Sequence, residues 1–108
     1  MSRTIWKFTV PVSDRPVILM DAVLVRWLHV ECAGPDMITV WALVRPSAEG
    51  RARRYPLVVH GTGHPVSEGV GRHVGSVSWR GTGVLVDAVL VWHVFAVAGT
   101  ELEMDAAA

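Results

Sequence analysis

The residues most suited to chemistry in this 108-residue chain stand together in the stretch HGTGHP at positions 60–65. Glycine permits positive φ angles and close approach of the backbone, so N–H groups around Gly61, Thr62 and Gly63 can converge on an anion. The imidazole of His64 would add a further donor. The same composition is typical of a β-turn. The stretch therefore predicts a turn that ends a strand, with Gly61, Thr62, Gly63 and His64 as candidate ligand-binding residues.

The histidines of this stretch also raise the question of a metal site. His60, His64 and His73, with Glu68 as an oxygen ligand, form the candidate set. A zinc site needs three or four converging ligands. Two histidines four residues apart share one face of a helix, but the glycines and the proline of this stretch disfavour a helix. We therefore predict no bound metal and no other cofactor, and keep a small metal-dependent enzyme built on His60, His64 and His73 as an alternative.

Aromatic and cationic residues elsewhere suit a phosphorylated ligand that carries a base. Trp79 and Arg80 are adjacent in a glycine-rich segment, where an indole ring would stack on a base and a guanidinium would bind a phosphate. Arg53 and Arg54 belong to the chain's one basic cluster, and arginine matches phosphate in bidentate geometry. Trp79, Arg80, Arg53 and Arg54 complete the predicted ligand-binding set.

Composition and charge exclude several classes of function. Ten Lys and Arg residues balance ten Asp and Glu residues, whereas a protein that binds long nucleic acid needs a basic surplus. The longest apolar stretch, residues 84–98, contains Asp87 and His93 and is shorter than the roughly 18 residues typical of a membrane span. The single Cys32 excludes an intramolecular disulfide. No GxSxG, HExxH or paired-carboxylate motif is present. We predict a protein that is not an enzyme and that binds neither long nucleic acid nor membrane.

Short blocks of β-branched and aromatic residues, separated by Gly, Pro, Asp and Ser, predict the elements that position these side chains. Turn signals about every 8–12 residues favour an all-β fold, a small β-sandwich or barrel of about seven or eight short strands. Residues 1–98 form one domain, and residues 99–108 form an acidic tail of small residues that we expect to be flexible. The predicted strands are Thr4–Val10, Val17–Met20, Leu24–Cys32, Met37–Val44, Tyr55–Val59, His73–Trp79 and one or two strands over residues 84–97.

Two further expectations concern packing. The segment Met37–Val44 is apolar on both faces, which predicts a central strand covered on both sides, with Trp41 in the core. Trp92 is also expected in the core, and so is His93, which shares its strand face with Val91 and Phe95 and is interpreted as a core histidine with satisfied hydrogen bonds. Zero net charge and positive mean hydropathy leave little repulsion between copies, so we expect a homo-oligomer.

The sequence contains, in this order, the motifs IWKF at 5–8, WALVRP at 41–46, GTGHPV at 61–66, VGSV at 74–77 and VWHVF at 91–95. These motifs resemble those of a family of short bacteriophage and prophage proteins that is described as a domain of unknown function. The resemblance covers nearly the whole chain and implies a viral accessory origin. Arg45 stands where the family pattern has an acidic residue.

The residues and the resemblance together predict a binding protein. We expect an anti-defence accessory protein that sequesters a small phosphorylated, nucleotide-like ligand without turnover in the host cytoplasm. One alternative is a virion component, such as a capsid decoration protein, that acts through protein–protein contacts of its tryptophans and apolar strands. The other is the small metal-dependent enzyme described above.

Overall fold

The protein is an all-β domain. The computed structural model of the chain describes residues 2–66, 68–82 and 87–103. Those residues contain seven strands and no helix. The strands are β1 (Thr4–Pro11), β2 (Val17–Met20), β3 (Ala22–Gly34), β4 (Met37–Pro46), β5 (Arg53–Gly61), β6 (Val70–Thr82) and β7 (Asp87–Val97).

The strands form two antiparallel sheets, a three-stranded sheet in the order β1-β4-β3 and a four-stranded sheet in the order β2-β5-β7-β6. The predicted fold class and strands are confirmed, and most strands extend one to three residues beyond their predicted ends. The segment predicted as one or two strands over residues 84–97 is a single strand from Asp87 onward, and residues 84–86 lie outside the described part.

Buried side chains from both sheets form one hydrophobic core, so the domain is a β-sandwich. The sheets pack closely at Gly75, where a Cβ atom would lie 2.8 Å from Cγ1 of Val30. Glycine at this position therefore permits the close packing of β6 against β3. The largest fully buried side chains are Trp27, Leu24, Ile38, Leu57, Val25, Val40, Val44 and Val94.

The tryptophans divide between the core and the surface. Trp27 is fully buried, and Trp92 is partly buried against the core. The central position of β4 in its sheet is confirmed, but the prediction that Trp41 lies in the core is wrong. Alternation along β4 buries Val40 and Ala42, so Trp41 lies half-buried on the outer face beside the ring of His29, with 5.4 Å between ring centroids.

The tail was predicted to be flexible from residue 99. In the structure, the amides of Leu102 and Glu103 donate to the carbonyls of Leu24 and Val25 on β3. The side chain of Glu101 is buried and contacts Trp27 of β3 and Arg72 of β6. Residues 99–103 therefore pack on the domain, and residues 104–108 lie outside the described part, where flexibility stays a prediction.

Candidate functional site

The HGTGHP stretch forms the turn that its composition predicts. The His64 N–H donates to the carbonyl oxygen of Gly61 at 3.1 Å. Gly63 has a φ of 88°, while Thr62 has a negative φ, as in a type II turn, which requires glycine or asparagine at its third position. Because the His64 N–H is used within the turn, it is not available to the predicted anion-binding nest.

The ring of His64 folds back over Gly61. A Cβ atom at position 61 would lie 3.2 Å from Cε1 of His64, closer than an ordinary van der Waals contact. Glycine at position 61 therefore has a local steric reason, since a side chain there would push the imidazole out of place. The turn thus presents an exposed imidazole and an exposed hydroxyl.

A pocket of about 270 Å³ lies beside this turn. Thr62 and His64 line one side, and the β7 segment from Val89 to Trp92 lines the other. The pocket exists because β5 ends at Gly61, opposite Trp92, whereas β7 continues to pair with β6 as far as Asp87. In the described part of the chain, the β7 residues before Trp92 therefore have no paired strand on their β5 side. We call this the turn pocket.

Thr62 connects the turn pocket to a chain of hydrogen bonds on the outer face of the four-stranded sheet. Its Oγ1 lies 2.9 Å from Nε2 of His93. Nδ1 of His93 lies 2.7 Å from Oγ of Ser76, which in turn lies 2.9 Å from Nε2 of His73. Four side chains, one from the turn, one from β7 and two from β6, form one continuous polar chain. We call it the His93 relay.

Strand register explains why these residues meet. Ser76 pairs with His93 across β6 and β7, and His60 pairs with His93 across β5 and β7. Directly paired residues in an antiparallel sheet share a face. The rings of His60 and His73 also pack near Phe95, with centroids 6.1 and 5.1 Å away. The predicted common face of His93 and Phe95 is confirmed.

The alternative metal set does not assemble. Within residues 2–66, 68–82 and 87–103, no three His, Cys, Asp or Glu side chains form a group that could hold a metal ion. His60 and Gly61 occupy opposite faces of β5 by alternation, and the ring of His64 packs on Gly61. His64 is thereby separated from His60 and His73, which pack near Phe95 on the other face.

Trp79 and Arg80 lie one strand behind the turn pocket. Both belong to β6, where Trp79 pairs with Leu90 and Arg80 pairs with Val89. Both partners line the pocket. Consecutive strand residues point to opposite faces, so the indole ring and the guanidinium cannot act side by side, as their adjacency in the sequence suggests. Trp79 is the cross-strand neighbour of Leu90, and Arg80 is that of Val89, but neither residue lines the pocket itself.

Arg53 and Arg54 do not join this site. They open β5, where they pair with Met20 and Leu19 of β2. The turn pocket lies at the other end of β5, eight residues from Arg53 and ~26 Å away at the usual rise of a strand. The predicted set is therefore divided: Gly61, Thr62 and His64 line one pocket, while Arg53 and Arg54 lie at the opposite end of the sheet.

A comparison with protein families identifies the family to which the chain belongs. A profile described as "Domain of unknown function (DUF7352)" matches residues 1–104. The chain belongs to this family. No curated protein and no solved structure matches it. In the part of the DUF7352 domain that the structure describes, no helix is long and apolar enough to cross a membrane.

His93 and Ser76 are the members of the DUF7352 site that sequence reasoning missed. His93 was interpreted as a core histidine, but it is half-buried and bonded through both ring nitrogens. The sequence did contain one indication, because alternation along the strand places His93 on the face opposite Trp92 and Val94. Its pairing with Ser76 depends on register shifts in β6 near His73, which the sequence does not reveal.

Proposed function

We propose that the DUF7352 domain is a binding protein that sequesters a small phosphorylated, nucleotide-like ligand in the turn pocket without turnover. The observation that carries the proposal is the continuity between the pocket and the His93 relay through Thr62. A hydroxyl held by a histidine on one side and open to a pocket on the other is suited to bind a ligand oxygen.

The tautomers of His73 and His93 set the direction of the relay, and two directions satisfy every hydrogen bond: in one Thr62 donates to His93, and in the other it accepts from His93. A neutral imidazole donates through one nitrogen and accepts at the other. If His73 donates to Ser76, Ser76 donates to Nδ1 of His93, and Nε2–H of His93 donates to Thr62, each group uses its proton once. The proton of the Thr62 hydroxyl is then free to point into the pocket. Donation along such a chain is cooperative, which strengthens the last donor.

The walls of the turn pocket fit the remainder of such a ligand. Val89, Leu90 and Val91 offer apolar surface, and His64 offers an imidazole that can donate to an oxyanion. The volume of about 270 Å³ is just below the usual range for small-ligand pockets, which starts at about 300 Å³. A mononucleotide or one half of a larger nucleotide therefore suits it, and the resemblance to phage proteins favours a host-derived ligand.

A thermal-unfolding screen with adenosine monophosphate, ADP-ribose and a cyclic dinucleotide tests the proposal. At least one should raise the melting temperature of the wild-type protein, with less effect on His64→Ala. His29→Ala is the matched control, because His29 is an exposed histidine on the other sheet. Chromatography after heat denaturation should return the ligand unaltered. No shift with any nucleotide, an equal shift in His64→Ala, or a converted ligand would contradict the proposal.

Protein–protein contact is a second candidate function, which a specific observation favours. The β7 residues Val89 and Leu90 are 49% and 39% exposed and lie on a segment with no paired strand on its β5 side in the described chain. An unpaired apolar strand edge is a surface that another strand can extend. Self-association through this edge, or attachment to a virion, would use it.

Sedimentation velocity distinguishes this candidate. Leu90→Lys places a charge on the edge and should convert an oligomer to monomer, whereas Leu19→Lys on β2, which is also exposed, should not. A wild-type protein that sediments as a monomer at all concentrations would exclude self-association, and mass spectrometry of purified virions would test attachment.

A further inference from the structure

A second pocket lies at the opposite end of the domain, where the chain changes sheets. Asp21 alone separates β2 in one sheet from β3 in the other, and the loop after Pro46 leads from β4 to β5. Asp21 fixes that loop twice: its carbonyl accepts from Ser47 N–H at 3.0 Å, and its carboxylate accepts from Gly50 N–H at 2.9 Å. The loop is therefore held in a defined shape.

This loop and the neighbouring strand ends enclose about 520 Å³, which lies within the range typical of small-molecule sites. We call it the loop pocket. Val23, Pro46 and Ala48 supply apolar surface, and Arg45 and Arg53 supply two guanidinium groups. Arg45 is directly paired with Val23 across β3 and β4, so the two side chains share one face of the sheet.

Among the residues that the structure describes, one of the two cations at the loop pocket has no ion-pair partner. Arg53 lies 3.6 Å from Glu49, and both side chains are about half exposed, at 42% and 55%. Such surface pairs contribute little and are readily exchanged for another anion. Arg45 is half-buried and makes no ion pair with any residue that the structure describes. With Arg45 and Arg53 against Glu49, the pocket lining carries a net positive charge.

We infer that the loop pocket is a second binding site, for a small ligand that carries a carboxylate or phosphate on an apolar group. A guanidinium binds either oxyanion in bidentate geometry, and Val23, Pro46 and Ala48 would contact the apolar part. The site goes beyond the proposed function, because it lies at the other end of β5 and shares no residue with the turn pocket. Arg53 was predicted to bind a ligand together with Gly61, which lies at the other end of β5. In the loop pocket, Arg53 can instead bind a ligand together with Arg45.

Backbone amide NMR of the full chain tests this site with phenyl phosphate and benzoate as probes. Saturable shifts of the amides of residues 45–53 report binding at the loop pocket, and shifts of residues 61–64 report the turn pocket separately. Inorganic phosphate lacks the apolar group and benzyl alcohol lacks the charge, so both should bind at least about tenfold more weakly. The two anionic probes distinguish a phosphate ligand from a carboxylate ligand.

Three variants make the test specific. Arg45→Gln should weaken binding of the better probe by about tenfold or more. Glu49→Gln should strengthen it, because it frees Arg53. Arg45→Lys keeps the charge without the bidentate fork and should give an intermediate affinity, which also covers the case in which Arg45→Gln fails to fold. His64→Ala should leave the affinity unchanged.

The inference is overturned if residues 45–53 show no saturable shift, if benzyl alcohol binds as well as phenyl phosphate, or if Arg45→Gln and Arg45→Lys both bind like wild type. Binding at the turn pocket is measured with different amides, those of residues 61–64, and with different variants. Failure at one pocket is therefore distinguishable from failure at the other.

Discussion

Replacing Glu101 with alanine should remove a large part of the stability of this domain. Glu101 is only 7% exposed. Its carboxylate accepts from the backbone N–H of Trp27 at 2.7 Å and from the Arg72 guanidinium at 2.8 and 3.3 Å. Arg72 also donates to the carbonyl of Trp27. The residue thus joins the end of the chain to β3 and β6.

The magnitude follows from what the substitution leaves behind. Glu101→Ala leaves the Arg72 guanidinium, whose side chain is 19% exposed, without its carboxylate partner. It also leaves the buried N–H of Trp27 without its acceptor. Removing one partner of a buried ion pair costs about 3–5 kcal/mol. With an unfolding entropy near 2.1 cal/mol/K per residue, this lowers the melting temperature by about 13–22 °C. Glu101→Gln keeps an acceptor for Trp27 and should cost less, about 1.5–3 kcal/mol.

Chemical denaturation gives the free energy of unfolding, and calorimetry gives the melting temperature. Glu103→Ala is the matched control on the same segment, because its ion pair with Arg3 is exposed and should contribute less than about 1 kcal/mol. If Glu101→Ala unfolds within about 1 kcal/mol of wild type, the packing of residues 99–103 on β3 is refuted.

Three further substitutions test packing and the turn, each by its free energy of unfolding. Gly75→Ala should destabilise by about 1–3 kcal/mol because its Cβ would clash with Val30, and Val30→Ala should offset part of that loss; additive losses would contradict the clash. Gly63→Ala should cost about 1–2 kcal/mol because of its positive φ, and an unchanged stability would argue against the type II turn. Tyr55→Phe should cost about 1–3 kcal/mol because the buried Leu24 N–H loses its acceptor; no loss would show that this hydrogen bond does not contribute.

Local patterns were sufficient to predict the strands. Alternation in β1, the isolated block of β2 and the proline and glycine boundaries are features of neighbouring residues. The turn at Gly61–His64 was predictable for the same reason, since its chemistry is contained within four residues. Such short-range information gives the fold class without showing which strands are neighbours.

The sites required information that the sequence does not display. Glu101 contacts Trp27 across 74 residues, and its acidic neighbourhood resembled a solvated tail. Trp79 ends the predicted strand and Arg80 follows it in a glycine-rich segment, but β6 extends through both, and alternation separates their side chains. The His93 relay depends on the register of three strands and on irregular pairing in β6. Pairing register and the long-range contacts it creates are tertiary properties.

The measurement that tests the proposed function most directly is calorimetric titration of the best nucleotide into wild type, Thr62→Ser and Thr62→Val. Serine keeps the hydroxyl that His93 holds, and valine keeps the shape without it. We predict that Thr62→Ser binds within about threefold of wild type and that Thr62→Val binds at least about tenfold more weakly, with the melting temperature of the free protein unchanged. Equal affinity of wild type and Thr62→Val, or no nucleotide binding by wild type, would contradict a ligand held by Thr62 in the turn pocket.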